Sequence, residues 1–84
     1  MNLNKQNLIN KIKYRSQYRG TKEMDIYLSS FVKNVINELN FNELEHLNTL
    51  INLSDENIIK VSKGLLKTDI DEKIINLLIN FQKY

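Results

Sequence analysis

The chain has 84 residues, with 12 basic and 10 acidic side chains and a formal net charge of +2. This length fits one domain with one modest core, which we expect to span residues 1–84, and this charge predicts by itself neither a nucleic-acid-binding nor a membrane-bound protein. The absence of cysteine excludes disulfides, thiolate metal sites and cysteine nucleophiles.

The first helix is predicted over residues 4–18 and carries only positive charge. Leu8 and Ile12 form its inward stripe. Residues 1–22 contain six basic residues and no acid, whereas residues 23–84 contain six basic and ten acidic residues. A +6 segment therefore precedes a −4 remainder, and we expect a basic face that attracts an acidic partner.

A glycine separates the first helix from the second. Arg15 and Arg19, the only arginines, are four residues apart, so on a helix they would lie on one face, which continues back along the apolar stripe of the first helix. Gly20 follows directly, and glycine is the residue that adopts a positive φ without a Cβ clash. We therefore expect a tight corner with both arginines at the surface. Tyr14 and Tyr18, beside them, are either packing residues or the rim of an interface.

The second helix, predicted over residues 21–38, has the strongest apolar pattern of the chain. Thr21 or Gly20 can cap it. Glu23 and Asp25 lie in its first turn, near the positive end of the helix dipole. Apolar residues recur at helical spacing and predict a buried stripe: Met24, Leu28, Phe31 and Val35, widened by Tyr27, Val32 and Leu39.

Capping signals open the third and fourth helices. Asn40 and Glu43 have the spacing of a capping box. Ser54 precedes a short fourth helix that Gly64 ends. The two helices bury apolar residues at helical spacing: Leu44, Leu47, Leu50 and Ile51 in the third, and Ile58, Ile59 and Val61 in the fourth.

The fifth helix is predicted to begin at a cap formed by Thr68 or Asp69. Its apolar residues are Ile70, Ile74, Leu77, Leu78 and Phe81. No segment alternates apolar and polar residues as a strand would. Because none of five short helices can bury its stripe alone, the sequence predicts an all-α protein, a compact bundle of five short helices.

Candidates for catalysis are few. His46 is predicted on the outer side of the third helix, where a solvated surface histidine is expected rather than a general base or metal ligand. The acidic residues cluster at helix starts, which dipole stabilisation explains, and no glycine-rich phosphate loop is present. We therefore expect no enzyme activity, no catalytic residue and no metal or cofactor site.

Targeting signals are also missing from the sequence. No apolar run approaches the ~20 residues of a membrane span, and the first residues lack the apolar core of a secretory signal. The acid-free beginning is similar to an organelle transit peptide, but its removal would remove both arginines. We expect a cytoplasmic, bacterial protein.

The corner carries a family resemblance. The pattern Arg19-Gly20-x-x-Glu23-x-Asp25 resembles the RGxxExD signature of the succinate dehydrogenase assembly factor family, the SdhE type. Its members are five-helix bundles that assist covalent flavin attachment to the flavoprotein subunit. The chain departs from the family pattern at Val61, where members often have tryptophan in the fourth helix, and in a short tail after the fifth helix.

The resemblance implies a function and a site. The protein would bind the flavoprotein subunit of succinate dehydrogenase, with fumarate reductase open as a second client, and promote covalent attachment of FAD, which belongs to the client. A monomeric assembly factor is implied rather than an enzyme. The implied partner-binding residues are Arg15, Arg19, Gly20, Glu23 and Asp25.

Two other interpretations start from the same residues. Two helices joined by a tight glycine turn match a helix-turn-helix, the nucleic-acid-binding motif. Against it, Glu23 and Asp25 would place negative charge at the start of the recognition helix, where phosphates are repelled. The third interpretation is a partner-binding helical bundle of an unrelated pathway.

Overall fold

A computed structural model of the chain describes residues 3–81, which form five α-helices and no strand. The all-α prediction is therefore confirmed. The helices are α1 (Leu3–Gln17), α2 (Lys22–Val35), α3 (Phe41–Ile51), α4 (Asp55–Ser62) and α5 (Glu72–Phe81), and a 3₁₀ turn (Ile36–Glu38) extends α2.

The helices enclose one hydrophobic core. Helix α1 packs against α2 and α3, and α5 packs against α2, α3 and α4. Phe31, completely buried on α2, has its ring centroid 5.5 Å from that of Phe81 on α5. The prediction that Ile59 is buried is wrong, since its side chain is 41% exposed on α4, and Ile36 is buried although no stripe predicted it. The predicted stripes supply the other buried apolar residues, which are Ile12, Leu28, Val32, Val35, Leu39, Leu44, Leu47, Leu50, Ile51, Ile58, Val61, Ile70, Ile74 and Leu78.

The predicted caps of α3 and α4 are confirmed. Asn40 Oδ1 accepts the Glu43 backbone N–H at 2.8 Å, and Glu43 Oε1 accepts the Asn40 N–H at 2.9 Å, which completes the capping box. Ser54 Oγ accepts the Asn57 N–H at 3.1 Å. These bonds satisfy N–H groups that have no partner within their helices, so they fix where α3 and α4 begin.

Gly64 ends α4 as predicted. Its φ is 73°, and its N–H donates to Val61 O at 3.0 Å. The next residue, Leu65, donates its N–H to Lys60 O at 2.8 Å. This pair of bonds is a Schellman motif, which satisfies the last carbonyl groups of a helix and requires a left-handed residue.

The predicted start of α5 is wrong, because neither Thr68 nor Asp69 caps this helix. The Thr68 hydroxyl instead accepts the Ile70 N–H at 3.2 Å, a local turn that competes with helix formation. Asp71 Oδ1 accepts the Lys73 N–H at 2.9 Å, so the capping carboxylate lies two residues beyond the predicted position.

Candidate partner-binding site

The corner between α1 and α2 turns on Gly20, whose φ is 116°. The predicted positive φ is confirmed. A Cβ added to Gly20 would have no atom within 4 Å, so the backbone conformation, and not a lack of space, requires glycine here. The corner is therefore an exposed piece of backbone without a side chain above it.

Helix α2 holds the corner from one side. Of the two predicted caps it is Thr21 that serves as N-cap, and Thr21 Oγ1 accepts the Met24 N–H at 3.3 Å. Asp25, in the first turn, accepts the backbone N–H of Arg19 on Oδ1 at 2.5 Å. The Asp25 carboxylate thus bonds the backbone just before Gly20 to the start of α2.

The Arg19 side chain attaches the corner to the interior of the protein. Its exposed fraction is only 2%. Its Nε and Nη2 donate to Asp55 Oδ1 at 3.1 and 2.9 Å. The guanidinium also donates to the backbone carbonyl oxygens of Ile51 and Leu53. These carbonyls lie at the end of α3, where helical partners are lacking. Arg19 therefore joins the α1–α2 corner to the connection between α3 and α4.

The prediction that Arg15 and Arg19 share one face of a helix is wrong. Helix α1 ends at Gln17, so Arg19 leaves the helix and turns inward. Arg15 stays on α1, half-buried, with Nη1 3.5 Å from the Tyr18 carbonyl oxygen. Arg19 could pair with a partner's carboxylate only by giving up Asp55, which is costly because the Arg19 guanidinium is buried, although the Asp55 side chain is partly exposed.

Glu23 and Gly20 are the exposed members of the predicted set, and Arg15 and Asp25 are half-buried. Within residues 3–81, Glu23 forms no ion pair. The structure therefore brings all five residues to one corner but divides them: Arg19 and Asp25 hold the backbone, while Arg15, Gly20 and Glu23 remain available to a partner.

Tyr14 and Tyr18 lie at the end of α1 beside this corner. Their side chains are 68% and 61% exposed, and their ring centroids are 4.7 Å apart. Burial in the core therefore does not explain them, since they pack on each other at the surface. A solvent-exposed aromatic pair is a common feature of protein interfaces.

His46 and Ser16 have structural partners. His46, expected to be fully solvated, is half-buried, and its Nδ1 accepts the Asp71 N–H at 2.9 Å. Ser16 is buried, and its hydroxyl donates to the Lys13 carbonyl at 2.8 Å within α1. In residues 3–81, no three side chains of the metal-ligating types come together to hold an ion.

The ionisable groups whose pKa values are shifted lie away from the corner, at the starts of α3 and α5. Lys73 Nζ donates to Glu43 Oε2 at 2.7 Å. The pKa of Glu43 is lowered, chiefly by this bond and to a smaller extent by the bond from the Asn40 N–H. The same bond raises the pKa of Lys73. The pair stabilises the charged forms of both groups and ties α5 to α3.

Sequence reasoning missed Asp55, the charge partner of Arg19. Asp55 follows the Ser54 cap, and its place in the first turn of α4 is explained by the helix dipole alone. Arg19 and Asp55 are 36 residues apart, so no local spacing connects them. Only the packing of the helices brings the two side chains together.

Comparison with known proteins identifies a family. Residues 10–82 match the family model described as Sdh5, flavinator of succinate dehydrogenase. No curated protein and no solved structure gives a significant match. In the part of the chain that the structure describes, no helix has the length and apolar character needed to cross a membrane.

Proposed function

Because the match covers most of the chain, the protein belongs to the Sdh5 family of flavinators of succinate dehydrogenase. We propose that it binds the flavoprotein subunit of that enzyme and promotes its covalent attachment of FAD. The family is one of assembly factors and not of enzymes, and the resemblance in residues 19–25 had predicted the same family. Fumarate reductase is a second client within this proposal.

The observation that carries the proposal is the fixed, exposed backbone at Gly20. It lacks a side chain, so the client's own backbone can approach closely. Arg19 and Asp25 hold it from within through bonds to Asp55 and to the backbone. A contact surface held rigid before binding loses less conformational entropy when the complex forms.

The side chains around Gly20 supply specificity in this proposal. Arg15 pairs with client carboxylates, since its guanidinium fork suits bidentate binding, and Glu23 pairs with client cations. Tyr14 and Tyr18 form the aromatic rim of the interface. Arg19 acts as a positioning residue and does not itself touch the client.

The protein acts by binding one client conformation better than another. Such preference shifts the client population towards the state that is competent to react. The covalent bond forms within the client, between FAD and the client's own histidine. The residues of this chain bind and position the client and take no part in bond formation.

The test is reconstitution of flavin attachment from purified parts. The apo flavoprotein subunit is mixed with FAD, with and without this protein, and covalent flavin is measured by in-gel fluorescence. We expect a higher rate or yield with the protein, and no adduct on the protein itself. His46→Ala should assist as wild type does, because His46 bonds a backbone N–H and not the corner.

Equal fluorescence with and without the protein would contradict the assembly role. Loss of assistance in a well-folded His46→Ala variant would instead indicate a catalytic role for the histidine.

A further inference from the structure

A cleft of about 480 Å³ lies between α1 and α2. This volume is within the range of about 300–1,000 Å³ typical of binding sites. No acidic residue lines it, and Val32 is its one apolar lining residue among those described. The lining residues are Lys13, Ser16 and Gln17 from α1 and Ser29, Ser30, Val32 and Lys33 from α2.

The two lysines of the cleft carry charge that the protein does not neutralise. Lys13 and Lys33 are exposed, and in the described range 3–81 neither forms an ion pair. Lys60 and Lys73, by contrast, pair with Glu56 and Glu43. The cleft therefore has a positive potential that favours a negatively charged ligand.

The cleft also offers more hydrogen-bond donors than it uses. The hydroxyl groups of Ser16 and Ser29 already donate to backbone carbonyl groups, at 2.8 and 3.3 Å. The side chains of Gln17 and Ser30 form no hydrogen bond within residues 3–81. Two ammonium groups, one amide and one hydroxyl are thus available, a set that suits carboxylate oxygens.

We infer that this cleft binds an acidic segment of the flavoprotein subunit, with aspartate or glutamate carboxylates placed between Lys13 and Lys33. The inference rests on the proposed function and adds a second contact area to it. Gln17 is the last residue of α1 and lines the cleft, so the cleft reaches the end of the helix that leads into the Gly20 corner.

The size and lining of the cleft favour a polypeptide segment. Its volume exceeds that of a single carboxylate, and its two lysines, unpaired within residues 3–81, favour a ligand with several negative charges. The acid-free sequence of residues 1–22 extends the positive charge along the whole of α1. Charge complementarity of this kind steers partners together and fixes their register.

The experiment compares two charge reversals of equal size. Lys13→Glu/Lys33→Glu alters the cleft, and Lys63→Glu/Lys67→Glu alters two exposed lysines between α4 and α5. Binding to the immobilised apo flavoprotein subunit is followed by biolayer interferometry at low and high salt. We expect about tenfold weaker binding for the cleft variant, mainly in the association rate and smaller at high salt, and a change within about twofold for the control.

A conservative variant separates charge from misfolding. Lys13→Arg/Lys33→Arg keeps both charges and should bind as wild type does. Equal weakening by the two charge reversals, or none by either, would overturn the cleft assignment while leaving the proposed function intact. Absence of binding by the wild-type protein would overturn the proposed function, and this inference with it.

A bulky residue tests the cleft without changing charge. Ser30 is exposed on α2 and lines the cleft, so Ser30→Trp should fill it and weaken binding while circular dichroism shows an intact helical fold. If Ser30→Trp binds as wild type while the charge reversal weakens binding, the lysines act outside the cleft, and the assignment is overturned.

Discussion

Gly20 and Gly64 are both glycines with a positive φ that follow a helix, but their surroundings differ. Their φ angles are 116° and 73°, and a Cβ at either position would meet no atom within 4 Å. At Gly64, as far as residues 3–81 show, only the backbone bonds of the Schellman motif hold the turn. At Gly20 it is held by the side chains of Arg19 and Asp25.

This difference in how the two turns are held indicates that the Gly20 corner does more than reverse the chain direction. A Schellman motif is sufficient to end a helix, and the next residue, Leu65, is 72% exposed. The Gly20 corner instead buries a charged side chain, which needs well-placed bonds to be tolerated. A buried charge that fixes an exposed loop is expected where the loop must keep one shape for a partner.

The largest effect is expected at the buried arginine. Arg19→Ala leaves Asp55 and two carbonyl groups at and just after the end of α3 without their donor, and should lower the free energy of unfolding by about 3 kcal/mol. Arg15→Ala is the comparison variant and should cost no more than about 1 kcal/mol, because Arg15 is half-buried and makes one weak bond to a backbone carbonyl. Urea denaturation measures both. If Arg19→Ala proves as stable as Arg15→Ala, the Arg19 side chain does not hold the corner in place.

The next effect compares the two glycines directly. Gly20→Val and Gly64→Val should each cost about 1–2 kcal/mol, because a β-branched residue is strained at positive φ. Only Gly20→Val should also reduce flavin attachment to the client, since its side chain lies on the proposed contact surface. Equal losses of flavin attachment in two variants of equal stability would remove the distinction between the corners.

A smaller, pH-dependent effect is expected for the pair of Glu43, which is half-buried, and Lys73, which is exposed. The pKa of Glu43 is lowered, so its contribution is present above its ordinary pKa and is lost as pH falls through the lowered value. The pKa of Lys73 is raised, so its contribution is present below its ordinary pKa and is lost as pH rises through the raised value. Lys73→Met should therefore be less stable than wild type at neutral pH.

The comparison with Lys73→Met is made by denaturation across the pH range. The stability difference from wild type should fade towards both acid and alkaline pH. A difference that stays constant at all pH values would show that Lys73 contributes by packing and not through its charge.

Much of the fold was predictable because its signals are local. The capping box of Asn40 with Glu43, the Ser54 cap and the positive φ of Gly64 each depend on a few neighbouring residues. The predicted start of α5 was wrong because the Thr68 hydroxyl accepts the Ile70 N–H, a local turn that competes with helix formation, so the helix begins later in the chain.

The candidate site was only partly predictable. The positive φ of Gly20 and the Thr21 cap follow from residue type and position. The burial of Arg19 does not, because its partners come from α3 and α4 and meet it only after the helices pack. Helical spacing places Arg19 on the face of Arg15 until the helix end at Gln17 is known.

In the proposed function, the client is recognised through the surface around Gly20. Glu23 and Glu56 provide a matched pair for testing it. Both are exposed acids at the second position of a helix, after the caps Thr21 and Ser54, and Glu56 lies on α4 in a solvent-exposed pair with Lys60. Replacing either by alanine should change stability by less than about 0.5 kcal/mol.

The decisive measurement is the affinity of the Glu23→Ala and Glu56→Ala proteins for the purified apo flavoprotein subunit, by isothermal titration calorimetry. We expect Glu23→Ala to bind about tenfold or more weakly, since a charged contact at the interface is lost, and Glu56→Ala to bind as wild type does. Wild-type affinity of Glu23→Ala, or equal weakening in the two variants, would contradict recognition through the Gly20 corner.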